Sequence, residues 1–293
     1  MRASRIFQIV LFLVFLSAAQ NAAAQILSPD DAGLREIAEK ARRDREFERL
    51  KNIPTSELKK APKNVAAKPK ATEKDLEAVA VDAEDKAKYA AFLKQPRTGI
   101  FRLHDVSNCE LSRKVYNVEE PCPAHIPEKG SAYSFQEDDY ETRWLADISL
   151  EEAAFRIRKI QTLSFLTDLG NVPIENLTLA AEGIRQMTEF VPSADKKEVF
   201  AQAKIASRGF QIGKYVYKTS RPLKENFTYA LRSITYRFEN PNVAVKARRL
   251  DVIIIFRVVR THPDGSVNIL WKELQRKDAP KFIDKRSLAQ YKY

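Results

Sequence analysis

The side chains best suited to chemistry are Cys109 and Cys122, flanked by His104 and His125. Two thiolates and two imidazoles make a complete tetrahedral zinc set. The spacing argues against zinc, because structural sites bring cysteines in close pairs and twelve residues separate these two. A Cys-x-x-His unit at Cys122 to His125 also suits copper, but no methionine follows nearby. The chain has no other cysteine. An isolated pair in a polar stretch of an exported chain reads as a disulfide. The bridge is the expectation, and the His104, Cys109, Cys122, His125 metal set is the alternative. No other cofactor is implied.

Nucleophile patterns give less. Ser193-Ala194-Asp195-Lys196 fits the Ser-x-x-Lys of penicillin-binding acyltransferases. Lys218-Thr219-Ser220 and Ser266-Val267-Asn268 approximate the two partner motifs, but in the wrong order. Gly-x-Ser-x-Gly, His-Glu-x-x-His, Gly-x-Gly-x-x-Gly and P-loop patterns are absent, and the eight glycines are scattered. Glu137, Asp138, Asp139 and Glu141 form an acidic knot without the loop glycine of an EF-hand, so they read as a solvated turn. Arg208-Gly209-Phe210 matches part of an RNA-binding strand signature, but Gln211 to Tyr215 departs from it. Asn176-Leu177-Thr178 and Asn226-Phe227-Thr228 are glycosylation sequons, meaningful only on a eukaryotic secretory route. With no acid, base and nucleophile set, the residues favour a non-enzymatic protein.

Charge is the broader signal. The formal net charge is +11. Such a field favours acidic partners, either envelope polymers or membrane surfaces. Export argues against nucleic acid. The C-terminal part is densest, and Arg232, Arg237, Lys246, Arg248, Arg249, Arg257 and Arg260 are the candidates for one basic face. Arg276, Lys277, Lys281, Lys285 and Arg286 follow.

These residues need elements to position them. Arg2 and Arg5, the apolar run from Ile6 to Leu16 and Ala22-Ala23-Ala24 make a secretory signal peptide over residues 1–24. Its apolar core is about 14 residues against the roughly 20 that span lipid, so cleavage near Ala24 and a secreted or periplasmic mature chain are expected. The mature chain then has no transmembrane segment.

Residues 25–50 read as a charged amphipathic helical arm. Ser28 caps it, Pro29 opens it, and Leu34, Ile37, Ala38 and Ala41 share a face. Residues 29–50 could dock on a protein partner. Residues 51–74 are rich in Lys, Ala and Pro and read as a flexible linker. Residues 75–281 form an α+β globular domain, mainly antiparallel β-sheet with a few helices. Residues 282–293 are a basic tail.

Within the domain, Asp75 to Lys94 reads as one helix ended by Pro96. Thr98–Leu103, Lys114–Val118, Ala132–Phe135, Arg143–Ile148 and Ala154–Leu166 read as strands. Leu177–Phe190 is ambiguous. Ala194–Ser207 reads as a helix stopped by Gly209. Phe210–Tyr217 reads as one strand. Phe227–Phe238 is a long strand whose apolar phase changes, which predicts a β-bulge near Ser233. Val252–Val259 is apolar on both parities and should be central. Asp264-Gly265 should turn into Val267, Ile269 and Trp271.

Phe92-Leu93-Lys94-Gln95-Pro96 with Thr98-Gly99-Ile100-Phe101-Arg102-Leu103 resembles a family of secreted bacterial proteins of unassigned function. Leu250-Asp251-Val252 through Phe256-Arg257-Val258-Val259, then Asp264-Gly265 and Leu270-Trp271-Lys272, extend the resemblance over roughly residues 86–281. It implies a bacterial envelope setting and no activity. The residues thus point to an exported, non-enzymatic binding or envelope-associated protein recognising an acidic partner or surface. The alternatives are an envelope-polymer hydrolase and a structural subunit docked through its arm.

Overall fold

The computed structural model describes residues 70–111, 122–159, 162–236 and 249–282. The leader, the arm, nearly all of the linker, the Lys114–Val118 strand and the tail beyond 282 lie outside them. Chain contacts separate Met1–Ala66 from Ala67–Tyr293, and the fold below belongs to the second unit.

Two short helices, α1 (Glu73–Ala78) and α2 (Ala83–Lys88), lead into β1 (Thr98–Leu103) and helix α3 (Val106–Leu111). Strands β2 (Ala132–Ser134), β3 (Asp139–Tyr140), β4 (Ile148–Glu151), β5 (Ala154–Arg156) and β6 (Thr162–Gly170) follow. Helices α4 (Arg185–Glu189) and α5 (Lys196–Arg208) precede β7 (Phe210–Ile212), β8 (Tyr215–Tyr217) and β9 (Ser220–Pro222). The last three strands are β10 (Thr228–Thr235), β11 (Leu250–Thr261) and β12 (Val267–Lys277). One antiparallel sheet has the order β1-β12-β11-β10-β6, a second β3-β2-β4-β5-β9, and β7-β8 is a separate hairpin. The domain is α+β and mainly antiparallel, as its alternating and two-sided apolar runs require.

The doubly apolar strand β11 explains the layering. Ile253 and Ile255 face one core, with Met187 of α4 and Val199 and Ala206 of α5. Val252, Ile254, Phe256 and Val258 face the other, with Ile148, Leu150 and Phe155 of the second sheet. The order is therefore helices, long sheet, short sheet. Each fully buried isoleucine of β11 contributes roughly 1.5–3 kcal/mol. Next to β11, β12 places Trp271 opposite Gly99 of β1, and a Cβ at position 99 would collide with the indole nitrogen.

Several elements differ from the sequence expectation, each for a local reason. The helix expected from Asp75 to Lys94 is broken. A reciprocal Thr72–Asp75 capping box starts α1, which ends at Val79, and α2 begins afresh at Asp82. The strand expected over Ala154–Leu166 divides, because β5 belongs to the short sheet and β6 to the long one. Phe210–Tyr217 folds back on itself at Gly213, whose φ of 60° suits a glycine. No bulge interrupts β10 near Ser233. Its pairing with β11 runs unbroken from Thr228↔Arg257 to Thr235↔Leu250. The phase change arises because both faces are covered: Tyr229 and Leu231 point to the short sheet, and Ala230 and Ile234 to the helices. Central β11, the turn at Asp264-Gly265 and the Gly209 stop after α5 are as the residues predict.

Candidate basic interface and buried polar cluster

The seven basic candidates do not share one open face. Arg232 is fully buried on the helix side of β10. Its guanidinium grips Asp251 through two bonds, Nε to Oδ1 at 2.9 Å and Nη2 to Oδ2 at 2.7 Å. Its Nη1 donates to the carbonyls of Met187 and Phe190, which close α4. Arg232 is an interior strut, because a buried guanidinium needs a full set of acceptors. Arg257 donates to Val172 O at 2.8 Å and Asn171 Oδ1 at 2.7 Å, holding the loop after β6. Arg260 holds Asp85 at 2.8 and 2.9 Å and Glu84 at 2.7 Å, and those carboxylates raise it above the usual arginine range. Arg249 is half-buried and donates to Ala279 O at 3.1 Å. Arg237, Lys246 and Arg248 lie outside the described residues.

Topology nevertheless sorts charge. The pairs Thr235↔Leu250, Thr235↔Thr162 and Asp251↔Lys277 put the end of β10, the starts of β11 and β6 and the end of β12 together, and β1 starts on the same side but opposite Lys272, at the middle of β12. Exposed Lys94, Arg97, Lys277 and Lys281 stand at this end, with Arg249 and Arg276 half-buried. Glu273 holds Arg97 and Arg276 at 2.7 and 2.6 Å. The opposite end carries Asp82, Glu84, Asp85, Asp105 and Asp264, with Arg102 and Arg260 paired among them. Basic and acidic residues nearly balance over the described segments, so most of the +11 comes from residues outside them.

A second cluster, which sequence reasoning missed, lies between the sheets. Asp147, just before β4, is fully buried. It accepts from Lys159 Nζ at 2.8 Å, Ser233 Oγ at 2.9 Å, and Ser134 Oγ and Gln136 N at 3.2 Å each. Ser164 Oγ continues the chain to Ser233 Oγ at 3.3 Å. Serine, lysine and aspartate are the ingredients of nucleophilic catalysis. Here the lysine meets the carboxylate and the hydroxyls donate inward, so the cluster pins one sheet to the other. The available signal was small: lone serines at 164 and 233 inside apolar strands.

The Cys109–Cys122 disulfide is present, with Cα atoms 5.7 Å apart and both residues buried. With the sulfurs bonded to each other, neither offers a thiolate to the His104, Cys109, Cys122, His125 metal set. His104 Nε2 instead meets Ala78 O at 2.9 Å, and His125 Nδ1 meets Asp75 Oδ2 at 2.8 Å. Replacing both cysteines by alanine should lower stability by about 3 kcal/mol, the loop-closure value for a ring this size. Urea unfolding of the variant beside the oxidised parent measures it.

The other motifs resolve into local structure. Ser193 Oγ donates to Glu198 Oε2 at 2.5 Å, and Asp195 caps α5, so the Ser-x-x-Lys stretch is a helix start. The acidic knot forms the β2–β3 turn, where Asp138 accepts from Tyr133 OH at 2.6 Å. No helix among the described residues is long and apolar enough to cross a membrane. In comparisons with known proteins, no family model, no curated protein and no solved structure matches this chain.

Proposed function

We propose that this is an exported, non-enzymatic protein that recognises an acidic partner or envelope surface by charge, with the two-sheet fold as its platform. One observation carries the reading: exposed positive charge gathers toward one end of the long sheet. Lys94, Arg97, Lys277 and Lys281 stand there, and the remaining excess belongs to chain outside the described residues. A field of this kind draws polyanions without needing a shaped pocket. The buried disulfide and the leader pattern over residues 1–24 support an oxidising, non-cytosolic setting. Residues 29–50 add a protein-docking arm to this reading.

The test is retention of residues 25–293 on immobilised heparin. Binding should persist above about 0.5 M salt, where isolated surface charges are screened. Changing Lys94, Lys277 and Lys281 together to glutamine should lower the salt needed for elution. Elution of the parent at low salt sinks the reading.

A further inference from the structure

The segment from Thr72 to Lys88 is held to the fold by buried Val81 and by a series of polar contacts. Within α1 and α2 the buried residues are two carboxylates, Asp75 and Asp85. Asp75 meets the backbone and ring nitrogens of His125 at 3.2 and 2.8 Å. Ala78 O meets His104 Nε2 at 2.9 Å. Asp82 Oδ2 accepts from Asn268 at 2.7 Å and lies 3.3 Å from His262 Nε2. Asp85 Oδ2 accepts from Asn268 at 2.6 Å and Arg260 at 2.8 Å. The chain has three histidines, and each meets this one segment.

We infer that residues 72–88 form a strap that is docked at neutral pH and released on mild acidification, with His104 as the trigger. His104 is 2% exposed, at the end of β1. Facing a carbonyl, its Nε2 carries the proton of the neutral ring. Protonation adds a second N–H and a positive charge in the interior. Around the ring stand Arg102 on its own strand, which opposes that charge, Asp264 on the β11–β12 turn, which favours it, and His262. Gly130 closes one side, and a Cβ there would lie 3.3 Å from the ring carbon Cδ2. Neighbouring Asp105 is committed to the amides of Ser107, Glu152 and Ala153.

The sign follows from linkage. Burial pushes His104 below its ordinary 6.5 and outweighs the Ala78 carbonyl, whose hydrogen bond favours the charged ring. A folded-state value below the unfolded one stabilises docking above 6.5, and that stabilisation is lost as pH falls through the folded value. Asp75, Asp82 and Asp85 are each held below the carboxylate range, by the Thr72 hydroxyl, the Asn268 amide and the Arg260 guanidinium respectively. They therefore keep their charge through this window. His125 meets Asp75 and His262 meets Asp82, so both rings are contacts of the docked strap. One partner of each pair is solvent-exposed, His125 at 47% and Asp82 at 37%, so solvent screens both. Each released residue adds up to about 3.5 Å of reach to the chain preceding Thr72.

The experiment is hydrogen–deuterium exchange on the intact chain at pH 7.5 and 5.5, with protection corrected for intrinsic exchange rates. Amides of residues 73–88 should lose about three- to tenfold protection at the lower pH, tenfold being the ceiling for one histidine over this interval, while β10, β11 and β12 keep theirs. His104→Gln retains a donor for Ala78 O and cannot ionise, so the loss should vanish, whereas His125→Gln and His262→Gln retain it. Equal strap protection at both pH values, or an undiminished loss in His104→Gln, overturns the inference. Should that variant misfold, the NMR titration of His104 in the parent decides. Its midpoint must coincide with that of release, and separate midpoints reject the mechanism.

Discussion

Asp251→Ala should lower stability by about 3–5 kcal/mol, because it strands a buried guanidinium. Arg232 and Asp251 are both fully buried, and the pair also anchors the carbonyl end of α4 to the long sheet. Removing either partner leaves a charge with no water to solvate it. Replacing both with apolar residues of similar volume, Arg232→Met with Asp251→Leu, should cost less than either single change. The measurement is urea unfolding, with the midpoint moving and the slope unchanged. A loss below about 1 kcal/mol for Asp251→Ala contradicts the strut assignment.

Asp147→Ala should cost about 3 kcal/mol for the same reason at a different place. Lys159 is 9% exposed at its side chain and would lose its anionic partner, and Ser233 and Ser134 would lose an acceptor. The lysine stem gives Lys159 some freedom to reach solvent, which keeps the figure below the upper bound for buried pairs. A double-mutant cycle with Lys159→Met isolates the ion pair, and its coupling should exceed about 1 kcal/mol. Additive single effects would mean that Asp147 acts through its hydroxyl partners alone.

What the sequence discloses depends on how local each determinant is. Strand β11, the Asp264-Gly265 turn and the Gly209 stop are set by neighbouring residues, and all three are legible. The disulfide is legible because only one pairing of two cysteines exists. Arg232 is not, since its partner Asp251 is chosen by the β10–β11 register and reads as an ordinary charge. A count of basic residues cannot separate the struts Arg232 and Arg260 from exposed Lys277 and Lys281. The Asp147 cluster joins residues as far apart as 147 and 233. The strap joins 75 to 125 and 85 to 260, and only the closed fold sets those distances. The division of Ala154–Leu166 between sheets is equally non-local.

The run Val252-Ile253-Ile254-Ile255-Phe256 meets the compositional criteria for self-stacking into cross-β fibrils: high β-propensity, no charge and no proline. In the finished fold its two neighbouring strands and two cores conceal it. In a nascent chain it is bare until the β12 hairpin closes and β10 returns across the intervening segment. Arg248, Arg249 and Arg257 flank it as charged gatekeepers. Among the described residues, this sticky stretch is thus also deeply protected, so biosynthesis rather than the folded state is where aggregation must be held off.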